Sequence, residues 1–171
     1  GIQHPRKGHD VLIEALQAVA DLDWRAVIVG APWNPPHAAA LARQAAASGL
    51  GGRLELAGRV PQDRLDRLYA QASIFALATR YEGYGIVFDE AVAHGLPIVT
   101  CVAGAVPQTV PEGAGLLVPP GDADAFATAL RSVLSDDRRR AGMAAAARDA
   151  SARLPAWEDT AQIAGAVLDP L

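Results

Sequence analysis

Apolar positions along this chain switch repeatedly between two spacings. From His9 to Ala20, the residues Val11, Leu12, Ala15, Leu16 and Val19 recur at three- and four-residue intervals, which predicts a helix with one buried face. Trp24-Arg-Ala-Val-Ile-Val-Gly30 follows as a short apolar run closed by glycine, the pattern of a strand covered on both sides. Pro35 to Ser48 is an alanine-rich helix stopped by Gly49, and Arg53 to Gly58 is a short strand. Pro61 to Ala72 predicts a helix with proline near its first turn, and Ile74 to Leu77 a strand. Ile86 to His94 predicts a helix ended by Gly95 and Pro97. Strands are expected at Ile98 to Val102 and Gly115 to Val118. Asp122 reads as the cap of a helix through Phe126, Leu130 and Leu134. A further helix covers Asp137 to Arg153, and after Pro155 a terminal helix is expected from Trp157 to Leu168.

This alternation implies α/β architecture, a Rossmann-like parallel sheet flanked by helices. A fold of that kind opens on a strand, yet the first helix begins near residue 9, so the opening strand is expected to be missing. The sequence has no internal repeat and no low-complexity linker, and residues 1–171 read as one domain. The run Asp136-Asp-Arg-Arg-Arg140 reads as a solvated helix face.

Composition narrows the classes of function. Half the residues are apolar and a fifth are charged, with a net charge of −4, so the basic face of a nucleic-acid binder is not indicated. The single cysteine, Cys101, excludes an internal disulfide and a cysteine-based metal cluster, and a reducing cytoplasm is the simplest setting. A cysteine within a predicted buried strand reads as an inert packing residue rather than a reactive thiol. No apolar run approaches the roughly 18 residues of a membrane span. Fourteen of the fifteen basic residues are arginine, which leaves Lys7 as the single lysine.

Parallel sheets hold ligands beyond the carboxyl ends of their strands. Three segments converge there: Lys7 with Gly8, the turns at Gly30 and Gly58, and the loop Thr79 to Gly85. In that loop, Glu82-Gly-Tyr-Gly-Ile86 places two glycines ahead of a helix whose first N–H groups suit a phosphate. Glu82 and Glu90 stand eight residues apart, which argues against a paired acid/base site of the glycosidase kind. Such carboxylates suit hydroxyl groups of sugar and ribose; spacing alone favours a surface loop carboxylate at Glu82 and a helix-surface one at Glu90. Lys7 has the same two readings, a diphosphate contact or an ordinary exposed lysine. His94 falls at a helix end that favours it, His9 reads as structural or solvent-facing, and Trp157 as a staple for the terminal helix.

The stretch Glu82-Gly-Tyr-Gly-Ile-Val-Phe-Asp-Glu90, continued by Gly95-Leu-Pro-Ile-Val99, closely resembles the E-x7-E signature of the group 1 retaining glycosyltransferases. Lys7-Gly8-His9-Asp10, Val27 to Gly30, Gly58-Arg-Val60, Gly115 to Asp122 and Ala156-Trp157-Glu158 fall in that family's order. The resemblance implies the C-terminal, donor-binding half of a GT-B architecture, with an acceptor-binding N-terminal domain as partner; the terminal helix 157–168 would pack toward it. It implies Lys7 on the diphosphate, Glu90 on the ribose and Glu82 on the transferring sugar as the catalytic-site carboxylate. The backbone of Gly83, Tyr84, Gly85 and Ile86 would lie near sugar and phosphate, with Arg59 and Val60 bordering the base. The implied reaction moves a sugar from a nucleoside diphosphate to an acceptor with retention, without metal or cofactor and without an identifiable general base. The isolated chain would be inactive, the setting cytoplasmic, and any membrane association a property of the N-terminal half. Two departures stand out: an arginine usual shortly before the Lys7 position is replaced by Gly1-Ile2, and a glutamate usual after Pro107 is Gln108. The competing readings are a GT-B nucleotide-sugar epimerase, which the E-x7-E block disfavours, and a non-catalytic donor-binding or regulatory module.

Overall fold

A computed structural model describes residues 2–154, so the expected terminal helix and Trp157 lie outside the described residues. Strands β1 (Ile2–Gln3), β2 (Ala26–Val29), β3 (Ala31–Pro32), β4 (Leu54–Gly58), β5 (Phe75–Leu77), β6 (Ile98–Cys101) and β7 (Gly115–Val118) alternate with helices. These are α1 (His9–Ala18), α2 (Pro35–Ala47), α3 (Gln62–Gln71), α4 (Ile86–Ala93), α5 (Val106–Thr109), α6 (Ala123–Leu134) and α7 (Asp137–Ser151). Every strand pairing is parallel: β1 with β3, β2 with β4, and β5 with β6 with β7.

Helix starts follow side-chain chemistry. Asn34, Asp122 and Asp136 each accept a hydrogen bond from the backbone N–H three residues on, satisfying donors that a helix leaves unpaired. The charge run at 136–140 is thus a cap plus an Asp137–Arg140 pair, and Arg140 also donates to the Val133 carbonyl at the end of α6. The core has two faces. Ala76, Val99, Cys101, Leu116 and Val118 pack with α1 and α6, whereas Phe75, Leu77, Ile98 and Leu117 pack with α4. Strand alternation therefore separates the two clusters onto opposite sides of the β5–β6–β7 sheet.

Among the described residues no full strand precedes α1: β1 is two residues long, with Ile2 opposite Ala31 and Gln3 opposite Pro32 before Pro5 turns the chain. One expectation is corrected. The strand from Trp24 is not covered on both sides: Ile28 is buried but Val27 is 38% exposed. The physical reason is pairing, since among the described residues β2 has a partner strand only on its β4 side. The sequence reading also omitted β3, α5 and the 3₁₀ turns at Pro5–Lys7 and Gly51–Arg53, all too short to carry a periodicity.

Candidate functional site

The site forms where three segments meet at the carboxyl ends of the strands. The 3₁₀ turn Pro5–Lys7 ends on Gly8, whose φ of 62° and position 1.9 Å from the Ala78 carbonyl oxygen, measured from where a Cβ would stand, leave no room for a side chain. This contact presses the Lys7 segment against the end of β5. Arg80 fixes it there. Its guanidinium grips both Asp10 oxygens at 2.8 Å and the Pro5 carbonyl, while its backbone N–H donates to the Arg6 carbonyl at 2.6 Å. Burial works against the Asp10 charge, but the Arg80 hydrogen bonds prevail and hold its carboxyl below the usual range. Buried Thr79 adds its hydroxyl to the Arg6 carbonyl.

Beyond Arg80 the loop carries Glu82 back over this turn. The Glu82 carbonyl accepts from Ala105 N–H at 3.0 Å, and Thr109 of α5 donates its hydroxyl to the Tyr84 carbonyl. The carboxylate of Glu82 meets the Lys7 ammonium at 2.5 Å, with both side chains largely shielded at 11% and 14% exposure. Gly85, at φ 92°, opens α4; a Cβ there would strike the Phe88 ring at 2.6 Å. Gly83 lies in the turn itself, and Tyr84 and Ile86 stand exposed at the mouth of the helix.

Glu90 sits one turn further along α4. Its carboxylate accepts from the Tyr69 hydroxyl at 2.8 Å, and burial together with this bond raises the Tyr69 phenol above its ordinary value. Tyr69 in turn stacks on His94, the C-cap of α4, at 4.8 Å between ring centres. Lys7 and Glu90 both line one cavity of about 650 Å³. The sequence-selected residues thus fall in two places, a Lys7–Glu82 pair and a Glu90 held by Tyr69. Arg59 and Val60 leave the carboxyl end of β4 nearby in the chain's topology, but no hydrogen bond or ion pair among the described residues ties them to either pair.

Three residues that sequence reasoning passed over shape the site: Arg80, Asp10 and Tyr69. No local pattern singles them out, because each acts on a segment more than twenty residues away or on the opposite strand end. Of the two readings of His9, the structure favours the structural one: it is 8% exposed, its Nδ1 has no partner among the described residues, and burial first and His37 second lower its pKa to about 4, so the ring is neutral at pH 7. Cys101 is fully buried, with its thiol raised to about 11 by burial, the setting of an unreactive side chain. Among the described residues no cluster of three metal-ligating side chains occurs, and no helix is long and apolar enough to cross a membrane.

A parallel α/β sheet with a glycine-rich turn, a helix N-terminus and a lysine at its strand ends is a Rossmann-like domain. The chain belongs to the glycosyl transferases group 1 family, whose pattern it matches over residues 3–150. It is 36% identical over 154 residues to a GDP-mannose-dependent alpha-(1-6)-phosphatidylinositol monomannoside mannosyltransferase of Mycolicibacterium smegmatis, covering 84% of this chain and 40% of that protein. A D-inositol 3-phosphate glycosyltransferase of Xylanimonas cellulosilytica is 35% identical over 91% of this chain and 37% of its own length. The chain therefore spans about two fifths of these curated relatives. Anabaena Alr3699/HepE, solved with UDP and glucose, superposes with a TM-score of 0.86 at 25% identity over 100% of this chain and 47% of that one. The C-terminal domain of a group 1 family protein (LpcC) from Francisella tularensis matches with a TM-score of 0.76 at 25% identity, covering 85% of this chain and 78% of the other. The fold is the C-terminal half of the GT-B architecture.

Proposed function

We propose that this chain holds the nucleoside diphosphate sugar donor of a retaining glycosyl transfer, within a longer enzyme whose other domain binds the acceptor. The observation that carries the reading is the Lys7–Glu82 pair, shielded at 2.5 Å just ahead of the α4 N-terminus. The GDP-mannose dependence named for one relative and the UDP held by a structural neighbour support a nucleoside diphosphate ligand.

In this reading the Lys7 ammonium and the first N–H groups of α4 take the diphosphate, Glu82 the sugar hydroxyls and Glu90 the ribose hydroxyls. Gly83, Tyr84, Gly85 and Ile86 line sugar and phosphate with backbone, and Arg59 and Val60 border the base. The bond from the sugar's anomeric carbon to the diphosphate breaks, and its electron pair leaves on phosphate oxygen. Lys7 and the helix dipole stabilise that charge. The acceptor hydroxyl bonds to the anomeric carbon on the same face, and its proton passes to the departing diphosphate, so no protein base is required. Titration of UDP, GDP and ADP into the chain by calorimetry tests the assignment. One of the three should bind, and Lys7→Ala should weaken it by about one to two decades while leaving the bare nucleoside unaffected. Absence of binding at millimolar concentration for all three refutes the donor site.

A further inference from the structure

Thr79 and Thr100 are both fully buried, and they stand in different company. Thr100, inside β6, donates its hydroxyl at 2.8 Å to the carbonyl of Leu77, the residue it already faces across the β5–β6 pairing. Thr79 stands just past the end of β5, and its hydroxyl reaches two carbonyls from different segments: Arg6 at 3.2 Å and Tyr81 at 3.0 Å. The Arg6 carbonyl belongs to the peptide unit that leads into Lys7, and the Tyr81 carbonyl to the one that leads into Glu82. One buried side chain therefore touches the peptide immediately ahead of each member of the ion pair.

The ion pair cannot fix this spacing by itself. Lys7 and Glu82 meet at 2.5 Å through flexible side chains, and a ligand that takes either one parts them. The contacts of Thr79 are to main chain and do not depend on that pair. A hydroxyl has one hydrogen, so two acceptors share it in a three-centre bond. The Arg6 carbonyl also accepts from the Arg80 N–H at 2.6 Å. The Tyr81 carbonyl has no donor other than Thr79 among the described residues. Without that hydroxyl, the peptide ahead of Glu82 loses what ties it to the turn that carries Lys7.

We propose that Thr79 is a positioning residue of this site: its hydroxyl sets the spacing between the main chains of Lys7 and Glu82 and holds it when a ligand separates the two side chains. Its role in transfer rests on the donor reading, in which Lys7 takes the diphosphate, Glu82 the sugar, and the bond that breaks lies between them. There, a misplacement of about 1 Å costs on the order of 100-fold in rate. The spacing itself does not need that reading.

The test compares Thr79→Val, Thr79→Ser and Thr100→Val in the 171-residue chain. Both valine variants keep the volume and remove one buried hydroxyl, so both should lower Tm. Only Thr79→Val should loosen the ion pair. With nitrogen-15 lysine, the ammonium of Lys7 gives one side-chain NMR signal, and its proton exchange should quicken about 5-fold in Thr79→Val. Thr79→Ser and Thr100→Val should stay within about 2-fold of the parent chain. Unaltered exchange in Thr79→Val, or an equal rise in Thr100→Val, overturns the proposal. If Thr79→Val does not fold, Thr79→Cys, with its weak S–H donor, takes its place and the same outcomes decide. A second arm titrates UDP-glucose and GDP-mannose, each beside its bare nucleoside. Whichever sugar nucleotide binds the parent chain should weaken about 10-fold in Thr79→Val, with the nucleoside unchanged. Equal losses for both make Thr79 a packing residue and overturn the positioning role. Failure of the parent chain to bind either sugar nucleotide removes the donor reading and the role in transfer with it, and the ammonium exchange then decides the spacing alone.

Discussion

The two halves of the sheet share a pattern and differ in closure. Around β5, β6 and β7, apolar clusters pack on both sides of the sheet, every residue of β6 is buried, and Phe88, Val92, Ile98 and Val99 are fully buried. Around β2 and β4, helix α3 has no buried residue, Val27 is exposed, and only Ile28 of β2 is buried. Both halves are parallel strands with covering helices, so the difference lies in neighbours: an apolar strand becomes core only when both its edges and both its faces are occupied. The candidate site lies on the seam, with Glu82 and Glu90 from the closed half, Lys7 from the segment that bridges the two, and Tyr69 reaching from α3 to Glu90.

The largest effect expected from this contrast is in stability. Phe88→Ala should cost about 3–5 kcal/mol, while Leu68→Ala on α3, which has no buried residue, should cost under about 1 kcal/mol by denaturant unfolding. Comparable losses would erase the distinction between the halves. Next comes His9, on the seam. Its folded pKa of about 4 lies below the ordinary 6.5, so the unfolded chain binds the proton more readily. Stability is therefore full above about pH 6.5, falls as pH drops toward 4 by up to roughly 3 kcal/mol, and is flat below. His9→Gln should remove that segment of the pH–stability curve; persistence of the slope would place its origin elsewhere.

Glu82→Gln should act in opposite senses on two ligands. Removing the carboxylate frees Lys7 from its 2.5 Å partner, so a bare nucleoside diphosphate should bind several-fold tighter, while the corresponding sugar nucleotide should lose that gain. Equal shifts for both would separate Glu82 from sugar recognition. The smallest effect is expected for Tyr69→Phe, which keeps the stack on His94 and removes only the bond to Glu90. A loss of roughly 1 kcal/mol should appear for ribonucleosides and not for deoxyribonucleosides. An identical loss for both would make Tyr69 a packing residue alone.

Much of this was legible in the sequence, and the limits are physical. The helices α1, α4 and α6 and the strands β6 and β7 follow from periodicity and from Gly95, Pro97 and Asp122, because local signals and tertiary packing agree there. The meeting of Lys7 with a residue 75 positions later is not written in either segment's pattern; the rule that parallel sheets bind beyond their strands' carboxyl ends put both segments at one edge, and the family resemblance assigned them to one ligand. The Arg80 fork on Asp10 and the Tyr69 bond to Glu90 escaped for the same reason, being contacts between segments that only the fold makes adjacent. His9 stayed open between a structural and a solvent-facing reading because a polar residue opening a helix gives no sign of which way it faces.

That Lys7 is the single lysine has a practical consequence for chemistry on this 171-residue chain. An amine-directed reagent finds one ε-amino group in it, and that group is 14% exposed and engaged by Glu82. Acylation read on the peptide that carries Lys7, apart from the α-amine, becomes a one-site occupancy gauge, in which each copy either carries the added mass or does not.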